Sequence, residues 1–158
     1  MPHILMIATG GTIACCETAH GLSPALDSAA LLGALPELSA LCTVETLDLM
    51  QLDSTDVTAA DRQRMAQAVW QNREKFDGFV LTHGTDTLEE TAYLLDLVHN
   101  SEKPVCLTGA MRSAAEISPD GPVNLLCAVR TAASSEARGK GVLVVMNEEI
   151  HAAREVVK

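Results

Sequence analysis

Two apolar runs in this chain break off at glycine and then present hydroxyls, a pattern that narrows the choice of fold more than any other feature. His3-Ile4-Leu5-Met6-Ile7-Ala8 runs into Thr9-Gly10-Gly11-Thr12, and Gly78-Phe79-Val80-Leu81-Thr82 runs into His83-Gly84-Thr85-Asp86-Thr87. A short continuous apolar run reads as a strand buried on both faces, as in a parallel sheet covered by helices. Open sheets of that kind bind their ligands at the carboxyl edge of the strands. Two threonines and an aspartate at that edge, with no metal-ligand cluster, point to covalent acyl transfer.

The rest of the chain alternates in the same way. Strands are expected near 3–8, 43–49, 78–82, 104–108 and 141–146, and helices near 28–38, 58–75, 87–99 and 122–134. Such alternation predicts an α/β fold: a three-layer, doubly wound, Rossmann-like or flavodoxin-like sheet, mostly parallel and flanked by helices. Thr58 with Asp61, and Thr87 with Glu90, have capping-box spacing. Gly121-Pro122 suits a helix start, where the missing proline N–H does no harm. At 158 residues there is length for one good core, and a second domain is not expected. After Val142-Leu143-Val144-Val145-Met146 only 12 residues remain, which fits a small complete domain or the first part of a longer protein.

Composition excludes several functions. A net charge of −10 argues against nucleic acid, whose phosphates require a basic surface. No apolar run approaches the roughly 18 residues of a membrane span. The N-terminus lacks a basic segment leading into an apolar stretch, so a cytoplasmic location is expected. The five cysteines are an odd number without metal-type spacing, which suits reduced residues packed as small apolar groups. No metal and no cofactor is expected.

Each candidate residue has a plain alternative. Gly10 and Gly11 allow a close backbone approach that leaves Thr12 reactive, but a phosphate-binding or simple glycine turn uses the same residues. No lysine follows as in a Walker loop, and no third spaced glycine as in a dinucleotide loop. Thr85-Asp86 stands before a helix whose positive end favours an anionic oxygen, and an aspartate that holds a lysine in place offers a proton relay; simple capping is the alternative. Asp53-Ser54-Thr55-Asp56 and Gly109-Ala110-Met111-Arg112 close two further strands, and the coincidence of four such turns favours a shared site. His83 reads as a structural hydrogen bonder rather than a base. His3, His20, His99 and His151 are scattered, and a redox role for Cys15-Cys16 competes with packing.

The segments Ala8-Thr9-Gly10-Gly11-Thr12-Ile13-Ala14, Thr82-His83-Gly84-Thr85-Asp86-Thr87-Leu88-Glu89-Glu90-Thr91, Thr108-Gly109-Ala110-Met111-Arg112, Asp120-Gly121-Pro122-Val123-Asn124-Leu125 and Gly141-Val142-Leu143-Val144-Val145-Met146-Asn147 together resemble the bacterial-type L-asparaginase family over essentially the whole chain. The resemblance implies that Thr12 is the nucleophile and that Thr85, Lys158 and Asp86 form the relay. It implies that Ser54 holds the substrate α-carboxylate, that Thr55 makes a further substrate contact, that Asp86 takes the α-ammonium, and that the backbone of Ala110 faces the reacting amide. Backbone N–H groups around Gly11 and Thr85 are the oxyanion candidates. The implied reaction is hydrolysis of L-asparagine to L-aspartate and ammonia through a threonine acyl-enzyme.

The family also implies a left-handed crossover and a homotetramer built as a dimer of dimers. It implies a C-terminal domain beyond residues 1–158, which would here be the N-terminal asparaginase domain alone and inactive by itself. Leu22 stands where the family commonly has a mobile-loop tyrosine, and Tyr93 is the chain's only tyrosine, so the base for Thr12 is not that residue. Two other readings are the asparaginase-like subunit of a tRNA-dependent amidotransferase and a non-catalytic amino-acid-binding module.

Overall fold

The computed structural model describes residues 1–19 and 21–158; His20 lies outside them. In chain order the elements are β1 (His3–Gly10), β2 (Cys15–Thr18), β3 (Gly21–Pro24), α1 (Ser28–Gly33), β4 (Thr43–Leu52), α2 (Ala59–Asn72), β5 (Gly78–Thr82), α3 (Leu88–Val98), β6 (Val105–Thr108), α4 (Gly121–Ala133), β7 (Val142–Met146) and β8 (Glu149–Ala152). The main sheet has the order β4-β1-β5-β6-β7-β8. Its first five strands are parallel, and β8 returns antiparallel to β7. Counting those five alone, this is the flavodoxin-like order, in which the direction of winding reverses beside the first strand. The reversal falls between β1 and β5, the two strands that carry the threonine motifs.

Strand alternation divides the core in two. Leu5, Ile7, Phe79, Leu81, Leu107 and Val144 face Met65 and Val69 of α2 and Leu88, Ala92 and Leu95 of α3. Ile4, Met6, Val80, Cys106, Leu143 and Val145 face Leu31 of α1 and Leu125, Ala128, Val129 and Ala132 of α4. The expected three layers are therefore present. Each fully buried aliphatic side chain of this kind stabilises the fold by about 1.5–3 kcal/mol, so both helical layers hold the central strands rigid beneath the site.

The differences from the sequence pattern have local causes. The helix expected over 28–38 stops at Gly33, and Pro36 opens a separate 3-10 turn over Pro36–Ala40. Leu35, which precedes that proline, leaves the helical region at φ −130°, ψ 62°, as a pre-proline residue must. β4 extends to Leu52, three residues past its expected end. The β2–β3 hairpin and β8 were not expected at all. β8 is reached through Asn147 and Glu148, both at positive φ (54° and 61°), between the paired Met146 and Glu149. Positive φ at both central residues is the signature of a type I′ hairpin, usually written with glycine second. The Asn-Glu sequence hides it.

Candidate active site

Glycine contacts draw the strand ends together. Gly11 has φ 79° and ψ 178°, a region open in practice only to glycine. A Cβ there would land on the backbone N and Cα of Gly84. A Cβ on Gly84 would lie 2.6 Å from Ser54 Cβ and 2.7 Å from its Oγ. One on Gly109 would lie 2.5 Å from His83 O and 3.3 Å from Thr85 Cγ2, and one on Gly121 would lie 3.0 Å from Ile13 Cγ1 and 3.6 Å from Ala110 Cβ. The turns after β1, β4, β5 and β6 thus interlock at van der Waals contact. Thr12 and Thr85 leave the same crossing, one residue beyond the Gly11–Gly84 contact on each strand.

Hydroxyl partners sort the threonines at this edge. Thr9 Oγ1 donates to Thr82 O at 2.6 Å and Thr82 Oγ1 accepts from Thr9 N at 3.3 Å. Thr108 Oγ1 donates to Val145 O at 2.7 Å, and Thr87 Oγ1 donates to Ser54 O at 2.8 Å. Thr91 Oγ1 is spent on His83 and Arg62. The hydroxyls of Thr12 and Thr85, both half-buried, have no partner among the described residues. Among the described threonines of this edge, these two hydroxyls are the ones left free.

Asp86 and Lys158 meet here: Lys158 Nζ pairs with Asp86 Oδ1. Ser54 is buried and its Oγ accepts from Asp86 N at 3.2 Å. The capping box expected from Thr87 and Glu90 does not form. Thr87 turns its hydroxyl to Ser54 O, and Glu90 pairs with Arg62 Nη2 at 2.7 Å. The Ser54 carbonyl already accepts from Val57 N at 3.3 Å, and the Thr87 hydroxyl takes its second lone pair, a tertiary bond made in place of the helix cap. The capping box of Thr58 with Asp61 forms as expected. Thr55 is exposed, and its N–H and hydroxyl both bond to Asp53 Oδ1, at 3.0 and 2.9 Å. Those Thr55 groups hold the Asp53 carboxyl below its ordinary range. Leu22 is 55% exposed on the β2–β3 hairpin, opposite Glu17.

The oxyanion candidates also divide. The Gly11 N–H is committed to Leu52 O at 2.9 Å, which removes it as a donor to a ligand. The N–H groups of Thr12 and Thr85 have no partner among the described residues. Gly11 O accepts from Ala14 N at 2.9 Å and from the Cys15 thiol at 3.5 Å, which fixes the peptide plane that carries the Thr12 N–H. Burial, with the charges of Asp53 and Cys16 added, pushes the Cys15 thiol up. It is a packed donor and not a thiolate. All five cysteines are free.

His83 is fully buried. Its Nδ1 lies 2.7 Å from Gly84 O and its Nε2 lies 3.0 Å from Thr91 Oγ1. A carbonyl only accepts, so Nδ1 carries the proton and Nε2 accepts from Thr91, whose oxygen in turn accepts from Arg62 Nε at 3.1 Å. Burial lowers the imidazole pKa, and Arg62 adds to that against the Gly84 carbonyl. His83 is a neutral brace for the Gly84–Thr85 peptide, the structural role expected of it.

Three residues that sequence reasoning passed over complete the site. Asn124 is buried, donates to Gly109 O at 3.0 Å and Asp120 Oδ2 at 3.1 Å, and accepts from Asn147 N at 2.9 Å. It ties the end of β7 to the turn after β6. Burial works against charge on Asp120, but the N–H groups of Met111 and Arg112 outweigh it and hold that carboxyl low. Glu89 Oε2 accepts from the backbone N–H of Lys158 at 2.6 Å. A cavity of about 260 Å³ opens beside these groups, lined by Thr85, Glu89, Asn147 and Lys158 with Met111 and Val144. A larger hollow of about 800 Å³ lies by Asp96 and Val142, at the other end of β7, and neither free threonine lines it. Among the described residues no cluster of His, Cys, Asp and Glu has metal-binding geometry, and no helix is long and apolar enough to cross a membrane.

Comparison with known proteins gives a consistent result. The family described as Asparaginase, N-terminal, matches residues 3–158. A protein of Haemophilus influenzae named probable L-asparaginase periplasmic is 43% identical over 100% of this chain and 46% of its own length. L-asparaginase 2 of Escherichia coli is 40% identical over 100% of this chain and 47% of its own. The crystal structure of a probable cytoplasmic L-asparaginase from Campylobacter jejuni superposes with a TM-score of 0.92 at 41% identity, over 100% of this chain and 48% of that one. The chain spans about half the length of the curated relatives it matches.

Proposed function

We infer, for a chain that belongs to the asparaginase family, that its paired-threonine edge serves hydrolysis of the side-chain amide of L-asparagine. The observation that carries this reading is the selective freedom of two hydroxyls: among the described residues Thr12 and Thr85 are unspent where Thr9, Thr82, Thr87, Thr91 and Thr108 are bonded. In the proposed sequence Thr12 Oγ attacks the amide carbon, and its proton passes towards the Thr85–Lys158–Asp86 group. That proton passes on to the amide nitrogen as the C–N bond breaks, and ammonia leaves an aspartyl ester on Thr12. Water, deprotonated by the same group, then attacks the ester, and the proton returns to Thr12 Oγ as aspartate is released. The N–H groups of Thr12 and Thr85 are the proposed oxyanion donors, each worth about 3–4 kcal/mol in the barrier.

Ser54 Oγ and the Asp86 carboxylate are assigned to the α-carboxylate and α-ammonium of the substrate, and the Ala110 backbone to its amide. Support comes from the Gly84–Ser54 packing and from the Asp86 N–H on Ser54 Oγ. The activity proposed is that of the whole enzyme, of which residues 1–158 form the N-terminal unit, acting in the cytoplasm as a homo-oligomer. The free cysteines and the exposed apolar residues Trp70, Leu97, Val98 and Ile117 support location and association respectively. The test is ammonia release from L-asparagine, with L-glutamine in parallel, by the full encoded polypeptide and its Thr12→Ala variant. Loss of release in the variant is expected; release that survives it overturns the reading.

A further inference from the structure

Lys158 is held at two points, by the residue before the N-cap of α3 and by the helix's first turn. Its Nζ pairs with Asp86, and its backbone N–H donates to Glu89 Oε2 at 2.6 Å. Before it, the chain leaving β8 is fixed by Ala153 N to Val142 O at 3.0 Å and by Val156 N to Ala152 O at 3.2 Å. Val157 is exposed. Glu89 is therefore the anchor that sets where the Lys158 backbone stands, and hence where its side chain starts. The charged and titratable groups lining the cavity around that lysine are Glu89 on α3 and Glu149 and His151 on β8, with Asp86 on its Nζ. Of these, Glu89 alone bonds its backbone.

We propose that Glu89 is a positioning residue for the reaction: it clamps the Lys158 main chain so that the ammonium group reaches Asp86 and Thr85. The inference rests on the relay reading above. A competing explanation is that any carboxylate in the first turn of α3 helps by complementing the helix end. Glu90 separates the two, because it occupies the same turn but bonds Arg62.

The experiment uses the full encoded polypeptide with the variants Glu89→Ala, Glu89→Gln, Glu90→Ala and Lys158→Met. Steady-state turnover of L-asparagine is measured together with residue-resolved amide exchange. Misplacing a catalytic group by about 1 Å costs on the order of 10²-fold. Glu89→Ala is therefore expected to lower kcat by about 10–100-fold with KM little changed, and to speed exchange of the Lys158 amide. Glu89→Gln, whose side-chain oxygen still accepts, restores both; Glu90→Ala changes neither. The proposal is overturned if Glu89→Ala keeps kcat, if it leaves Lys158 exchange unchanged, or if Glu90→Ala loses as much. Full turnover by Lys158→Met would sink the relay itself. An inactive Lys158→Met beside an active Glu89→Ala would sink only the clamp.

Discussion

Replacing Gly11 by alanine tests the interlocked edge directly, because it adds one methyl at the crossing. Two costs add. At φ 79° and ψ 178° a non-glycine residue is strained by about 1–3 kcal/mol. The new Cβ also meets Gly84 N and Cα, and lies 2.6 Å from His83 C. All three are backbone atoms, so no side chain can rotate away and the two turns must part. Overpacking of this kind costs about 1–3 kcal/mol more. The sum centres near 4 kcal/mol, which in a domain of this size lowers Tm by about 8–16 °C. Gly139→Ala is the matched control: φ is +71° but nothing lies within 4 Å of the added Cβ. It carries the strain alone, about 1–2 kcal/mol. Chemical denaturation of both variants beside the parent gives the difference, which holds the contact term together with any further strain from ψ 178° at Gly11. If Gly11→Ala is destabilised no more than Gly139→Ala, the turns do not pack as described.

Other expectations follow from single groups. Burial depresses the His83 pKa, so the unfolded chain takes up a proton that the folded one refuses. Its contribution is complete above an unfolded value of about 6.5 and declines as pH falls below it. Unfolding midpoints measured from pH 7 to pH 5 should drop, and His83→Gln should flatten that slope; an unchanged slope refutes the buried neutral ring. Asp96 is half-buried, which opposes its charge, but the Val142 N–H at 2.9 Å and Arg154 Nε at 2.7 Å outweigh that and lower its pKa. Its stabilisation is present above an ordinary value of about 3.9 and is lost as pH falls below it. Asp96→Asn should cost about 1.5–3 kcal/mol at neutral pH and approach the parent in acid. Thr58→Ala removes a formed capping box and should cost about 1 kcal/mol in denaturant melts; no cost would mean that α2 starts without it.

The central strands and the threonine corners were legible because a strand buried on both faces leaves a continuous apolar run, and its stop at glycine is written beside it. Thr58 with Asp61 was legible for the same reason: donor and acceptor are near neighbours in sequence. Thr87 shows where such reasoning ends. Its spacing with Glu90 is right for a cap, yet a carbonyl brought in from the turn after β4 takes its hydroxyl. Gly11 is a parallel case, since its N–H is consumed by Leu52 O across the sheet. Asn124 and Glu89 were passed over because the bonds that tie them to the site, Asn124 to Gly109 O and Asn147 N and Glu89 to Lys158 N, run to backbone groups distant in sequence, which carry no side-chain signature. The two hairpins escaped because one turns on Asn147-Glu148 without glycine and the other begins at Cys15-Cys16, where nothing alternates.

The measurement that bears most directly on the whole account is the site of acylation. The full encoded polypeptide is reacted with a slowly turned-over asparagine analogue, quenched in acid, digested and mapped by mass spectrometry. An ester on the peptide that carries Thr12, absent in Thr12→Ala and formed more slowly in Lys158→Met, is the predicted result. An adduct on Thr85 or on any cysteine, or steady ammonia release with no adduct at all, would contradict it.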